Sequence, residues 1–476
     1  VRRFLYWLKR KENWLLLSIF LISALVRAIH FCEPSTTPFI SRLAKEIAEG
    51  EWLGRREVFW QAPLYPYFLG ALYILKGDIY FIKVVQLIMG SFSCIFLYLI
   101  TKIVFNRFVA LISSVALSIY PVMVWFELQL LPPVLSIFLN LLIVFCLLKR
   151  RFFISGLILG FSALSCQNIL LFGLSTLFWL SLNKKPSTIS FFLGILIPIS
   201  LVTARNWGVG KELVMISTNG GINFFIGNNP EYERTTEIRP GRCWDRLVGE
   251  PDRILRRELT HSERDRYWYC KAFSFIKEDL LSYIKLLEKK FSLFWNHYEI
   301  RRNLPYHPFK ENCSLFLNCL PIDFRVVGPL SILGMVLGIY RIRRYLLFYI
   351  FVTSYSASVI LFFVTSRYRL PVIPFLIPFA VLGILYVLSS LKKRKHRAVI
   401  LSFFLLLFFW TGYVSVDKGK DRGDFYALLG YCLEKQKSYA DALIAYKGAI
   451  SFNPEDTYSR CGIVGFTMDM GFMKSL

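Results

Sequence analysis

The sequence predicts an all-α polytopic membrane protein: about eleven transmembrane helices, amphipathic helices outside the membrane, and a C-terminal helical hairpin. Three observations predict it. The 476 residues are 55% hydrophobic, with a mean hydropathy of +0.48, too much apolar surface for a soluble fold of this length. Apolar runs of about 17–25 residues, the length that spans a bilayer as helix, recur along the chain. Every second connection between runs is basic, which marks one side as cytoplasmic. The bilayer core offers the backbone no water, so such runs must be helical.

The net charge of +25 could suggest nucleic acid. That class is excluded because the excess sits in short clusters between apolar runs, where it acts as a topology signal. Phe (44) and Tyr (25) are abundant, as lipid contact and interfacial belts require.

The basic start (Arg2, Arg3, Lys9, Arg10, Lys11) is cytoplasmic. Span one, about 14–32, exits, and is an anchor rather than a removed signal peptide, being too long and lacking a cleavage site. Residues 33–79 form an outside loop. Span two (about 80–101) returns to Lys102 and Arg107, span three (about 108–126) exits, and span four (about 130–148) returns to Lys149, Arg150 and Arg151. Spans five and six, about 152–166 and 168–182, are a short pair ending at Lys184 and Lys185. Span seven, about 187–204, exits into a loop over 205–325. Spans eight (about 326–340), nine (about 345–364) and ten (about 372–391) follow, with Arg341, Arg343 and Arg344 inside and SRYRLP (366–371) outside. The run Lys392, Lys393, Arg394, Lys395, Arg397 is inside, and span eleven, about 398–416, leaves the tail outside. The membrane body is thus 1–416 and the tail 423–476.

In the first loop, KEIAEGEWLG (45–54) reads as an amphipathic helix ended by Gly50. In QAPLYPYFLG (61–70), Pro63 and Pro66 break the chain before a second helix. The loop suits a re-entrant interfacial hairpin or a site for a lipid head group, which Gln61 and Tyr65 would line, with Tyr368 opposite. Glu127, in YPVMVWFELQLLPP (120–133), falls at the membrane boundary and is either a functional ionisable group or an interfacial Glu facing water. Arg205, in TARNW (203–207), either snorkels or serves a site. Arg367 and Arg369 lie on an outside turn, against the topological bias, and guanidinium suits bidentate phosphate binding.

The large loop carries STNGGINFFIGNNP (217–230) and then, over 262–295, aromatic and aliphatic residues at helical spacing, read as one or two interfacial helices. Its Cys243, Cys270, Cys313 and Cys319 either pair as Cys243–Cys270 and Cys313–Cys319 in a periplasmic loop or stay free thiols. Cys94, Cys146 and Cys166, in apolar runs, are packing residues. In the tail, Tyr426, Leu429, Gly430, Leu433, Ala442, Tyr446, Ala449 and Pro454 fit one tetratricopeptide unit over 423–456. A lone unit cannot bury its face, so it must pack on something or continue past Leu476.

Together these segments resemble the GT-C glycosyltransferase superfamily, in its protein-mannosyltransferase and aminoarabinose-transferase-like branch, bacterial subgroup with C-terminal tetratricopeptide repeats. The motifs are LAKEIAEGEWLG (43–54), APLYPYFLG (62–70), WFELQLL (125–131), ARNW (204–207), NGGINFFIGNNP (219–230), the stretch at 263–268, and RYRLPVIPF (367–375). The resemblance implies an enzyme of the bacterial inner membrane, N-terminus cytoplasmic, large loop and tail periplasmic. It would transfer a sugar, with inversion, from a polyprenyl-phosphate carrier to a glycan, lipid or protein acceptor. By the match, Glu127 falls on an acidic catalytic position, and Arg205, Arg367 and Arg369 are donor-phosphate candidates. A divalent metal would fit such chemistry, although no ligand cluster stands out. Membrane lipids, and a protein partner at 423–476, are the further expected partners.

The chain departs from the family in one place. Relatives carry an Asp in the first loop, where CEPSTTPFISRLA (32–44) has none. Ser35 stands there, and Glu33 is the nearby carboxylate. Either Glu33 substitutes, or the base is missing, at a typical cost of about 10²–10⁴ in rate. A degenerate scaffold recruiting partners through its tail, or a lipid-linked-oligosaccharide ligase or polymerase, are the alternatives.

Overall fold

The computed structural model describes residues 2–33, 42–54, 57–183, 185–238, 242–302, 304–393, 418–435, 438–454 and 459–460, and these hold helices and no strand. The proposed span eleven, the position of Ser35 and the chain beyond 460 lie outside the described residues.

The first apolar run is α1 (Arg2–Phe31). The first loop contributes α2 (Arg42–Ala48), after which Gly50 adopts φ 101°, and α3 (Leu64–Lys76), which starts at Pro63. Polar caps set the next starts. Asp78 accepts from Tyr80 N at 2.9 Å at the head of α4 (Ile79–Val104), and Asn106 accepts from Val109 N at 2.9 Å ahead of α5 (Arg107–Ser118). The expected third span is not one helix. It breaks after α5 and continues as α6 (Pro121–Glu127) at an angle of 55°, because Pro121 has no N–H for the ladder and is favoured at a first turn. Next come α7 (Pro133–Leu148), α8 (Phe152–Ala163), α9 (Ile169–Asn183) and α10 (Lys185–Gly210).

The described residues of the large loop hold eight helices: α11 (Gly220–Gly227), α12 (Tyr232–Glu237), α13 (Arg242–Val248), α14 (Glu250–Leu255), α15 (His261–Glu278), α16 (Leu280–Trp295), α17 (Tyr306–Cys313) and α18 (Leu315–Cys319). The chain then forms α19 (Phe324–Gly338), α20 (Ile342–Leu361), the one-turn α21 (Ser366–Arg369) and α22 (Ile373–Lys392), and ends in the tail hairpin α23 (Lys418–Lys435) and α24 (Tyr439–Phe452). Cys243, Cys270, Cys313 and Cys319 are free thiols, so neither proposed disulfide is formed.

Among the described residues five helical runs are long and apolar enough to cross a membrane, or six if α5 and α6 form one bent span. The apolar α7, α8 and α9 are shorter. One of the five runs is the 38-residue stretch Phe324–Leu361. It folds back on itself between α19 and α20, since the Tyr349 hydroxyl donates to the Met335 carbonyl 14 residues away. A straight helix would hold those residues about 21 Å apart.

Glycines bring the helices into backbone contact. A Cβ on Gly156 of α8 would collide with the Phe191 carbonyl of α10, and one on Gly194 with that of Phe153. Gly334 and Gly383 do the same between α19 and α22, against Phe379 O and Leu330 O. In lipid, such close approach supplies dispersion contact that apolar burial alone does not.

Candidate functional site

One face of α1 is polar. Ser23, Arg27 and His30 are buried along it, and Glu33 follows just past its end. Arg27 grips Glu127 through two contacts, Nε to Oε2 at 2.6 Å and Nη2 to Oε1 at 2.8 Å. Glu127 is fully buried rather than facing water, and Gly90 leaves room for it, since a Cβ there would strike its carboxylate. The backbone around it is held as well. Gln86 Nε2 donates to Glu127 O at 2.7 Å and to Gln129 O at 3.0 Å, and the buried Tyr65 donates to Gln86 Oε1 at 2.6 Å. Tyr65 therefore braces the interior instead of lining an opening.

Glu33 ties the first loop to the large one. It meets His30 Nδ1 at 2.8 Å, accepts from Phe316 N at 2.9 Å, and accepts from the Ser314 hydroxyl. It thus helps Ser314, whose side chain accepts from Leu317 N, to cap α18. Burial pushes its carboxyl up, but donation from Ser314, Phe316 and His30 outweighs burial and holds it below the usual glutamate range.

The three arginines separate into two kinds. Arg205 lies over Phe59, its guanidinium carbon 3.9 Å from the ring centroid. It donates to Glu57 O at 2.7 Å, to Leu53 O and to Asn206 Oδ1. Arg369 is buried, paired with Glu299 at 2.8 Å, and donates to Phe294 O at 2.9 Å and to Asn296 O. Both have donors committed to the protein. Arg367 is different. It is half-buried, donates to the hydroxyl of its neighbour Tyr368 at 2.8 Å, and pairs with no carboxylate among the described residues.

A set of polar contacts lies within range of the Arg367 charge. That charge reaches the Cys166 thiol in the α8–α9 turn. In that turn Gln167 donates to Ser217 Oγ at 2.8 Å, Ser217 to Asn219 Oδ1 at 3.1 Å, and Asn168 to Ser358 Oγ at 3.2 Å. The first loop joins the same set, through Thr218 N to Phe59 O at 3.0 Å and Leu64 N to Leu164 O at 2.8 Å. Gln61 is exposed between those two contacts. Sequence reasoning passed over this turn; its only signal was the polar CQN set between two short apolar runs.

The glycine- and asparagine-rich motif anchors the large loop here. A Cβ on Gly227 would strike Phe362 O, and Asn228 Nδ2 donates to Leu361 O at 2.9 Å. The buried Lys290 bridges Asn228 Oδ1 at 2.9 Å, Gly227 O at 3.1 Å and Phe362 O at 3.1 Å, and burial pushes its ammonium down to about 7. Asp265, from the 263–268 motif, accepts from Gly221 N. Burial pushes its carboxyl up to about 6, against the lowering effect of that N–H.

No family model matches the chain, and no curated protein matches it. Among solved structures, an Archaeoglobus fulgidus oligosaccharyltransferase tethered with an acceptor peptide containing an NVT sequon matches with a TM-score of 0.41 and 12% identity, over 91% of this chain. The match spans 59% of that protein. This score lies below the level at which two folds are equated.

The chemistry open to this surface follows from its groups. Arg367 can donate to an anion, and the amides and hydroxyls around it can hydrogen-bond a polyol. Glu33, kept ionised by three donors, is a weak proton acceptor. Asp265, tied to Gly221 N in the large loop, is a carboxyl whose raised proton affinity suits proton transfer. Among the described residues no three His, Cys, Asp or Glu side chains are placed to hold a metal ion.

Proposed function

We propose that the chain is an integral membrane glycosyltransferase of GT-C type, which moves a sugar from a polyprenyl-phosphate carrier to an acceptor at the face shared by the first loop, the CQN turn and the arginine turn. In this reading that face is periplasmic, in a bacterial inner membrane. The observation that carries it is Arg367: a half-buried guanidinium that donates to the Tyr368 hydroxyl and pairs with no carboxylate among the described residues. Arg367 receives the carrier phosphate, whose charge grows as the bond to the sugar breaks. Arg205 and Arg369 shape the loop and the turn that present it. Glu33 and Glu127 support the fold around it.

The test is binding of polyprenyl phosphate to the full-length protein in nanodiscs. Arg367→Ala weakens binding about ten- to a hundredfold, matching the roughly 1.5–3 kcal/mol of hydrogen bonds to a charged group. Arg367→Lys keeps part of it, as a point charge replaces a fork. Equal affinity in all three proteins sinks the reading. One observation favours a second reading, a non-catalytic scaffold: the carboxylates of Glu33 and Glu127 are both tied to protein donors. Glycans and lipid-linked sugars that are identical in membranes with and without the protein would select it.

A further inference from the structure

Residues 294–302 form a strap with two working sides. On one side it carries the arginine turn. Phe294 O and Asn296 O accept from Arg369, Glu299 pairs with Arg369 at 2.8 Å, and Ile300 O accepts from Ser366 N at 2.8 Å. Arg302 lies 5.0 Å over Phe363, just ahead of the turn. On the other side the strap meets the tail. Arg301 Nη1 pairs with Asp421 and its Nε with Asp424, and the Tyr298 hydroxyl donates to Asp421. Phe425 of α23 is buried in the main core, and Lys420 pairs with Glu237 at 2.8 Å.

Charge explains why the two sides depend on each other. The strap and the turn together hold Arg301, Arg302, Arg367 and Arg369 but one carboxylate, Glu299. Asp421 and Asp424 bring two further carboxylates to Arg301, and Asp421 and Arg301 are both nearly buried. A buried pair broken on one side leaves a charge uncompensated, so the strap cannot shift without cost.

We propose that Asp421 and Asp424 of the tail are positioning residues for Arg367, acting through the strap to fix the arginine turn. This rests on the reading of Arg367 as the phosphate contact, and it makes the tail hairpin part of the site's framework.

The experiment is hydrogen exchange on the full-length protein in nanodiscs, without substrate. In Asp421→Arg/Asp424→Arg, like charges face Arg301. Peptides containing Ser366, Tyr368 and Arg369 then exchange about tenfold faster, as local protection is lost, while α4 and α22 are unchanged. Adding Arg301→Glu restores protection. A tail that exchanges faster while the turn does not overturns the proposal. So does a tail that stays protected, since the carboxylates then do not hold it. If α4 also exchanges faster the variant is misfolded, and Asp421→Asn/Asp424→Asn is judged by the same two criteria. Because no donor is present, this result is independent of whether Arg367 binds phosphate.

Discussion

Arg27 and Glu127 are two charges inside an apolar bundle, and neither is tolerable alone. Removing one partner of such a pair leaves the other desolvated and uncompensated, which costs roughly 3–5 kcal/mol. Arg27→Ala and Glu127→Ala are each expected to lower the thermal midpoint sharply in detergent, while Arg27→Met/Glu127→Leu recovers most of the loss. Single variants that melt like the wild type would show that the pair is not closed. Asp265 allows a pH test. Its folded value of about 6 lies above the ordinary aspartate value, so its stabilising contribution is full below that ordinary value and lost as pH rises through about 6. Asp265→Asn should therefore flatten stability between pH 4 and 7, as read in melts across that window. An unchanged slope would mean Asp265 is not the group responsible. At this scale the sequence was partly legible. Glu127 was singled out from the sequence, but Ser23, Arg27 and His30, which recur at one face of an apolar helix, were a sign of buried partners that was passed over. That Arg369 would be spent on Glu299 was not readable, because its partner lies 70 positions away.

Helices meet here through glycine. Gly156→Ala and Gly334→Ala each force a Cβ into a facing carbonyl and are expected to destabilise by a few kcal/mol, as overpacking of about 1–3 kcal/mol with backbone shift implies. Gly208→Ala meets nothing within 4 Å and is the control, expected to be neutral in the same melts. Apolar runs and basic flanks made most element positions legible. They showed the short pair that became α8 and α9, but not the α5–α6 elbow, because a hydropathy window averages across Pro121, nor that α7 stops short of a full span. The apolar periodicity of 280–295 was sound. Leu280, Leu281, Ile284 and Phe291 of α16 are exposed, leaving an amphipathic helix with an open apolar face.

For the molecule as a whole, distant segments converge in ways no local pattern encodes. Glu33 is joined to Ser314, 281 positions later, and the tail is joined to the strap across 120 positions. The motifs that suggested a family mark further junctions: NGG against Asp265, GNN against the end of α20, ARNW against the first loop. Their spacing was legible, but which groups they would leave available was not, since that depends on the partner each side chain finds.

The shortness of α8 has a consequence for depth. Its 12 residues rise about 18 Å, against a hydrocarbon layer of about 30 Å. Under the proposed function, with α8 rising from the cytoplasmic boundary, a helix this short would leave the CQN turn, with Arg367 near it, below the lipid surface. A carrier held in the leaflet by its isoprenoid tail would then approach it sideways. Its phosphate would meet the guanidinium without first being lifted into water, and the incoming acceptor would be the partner that descends.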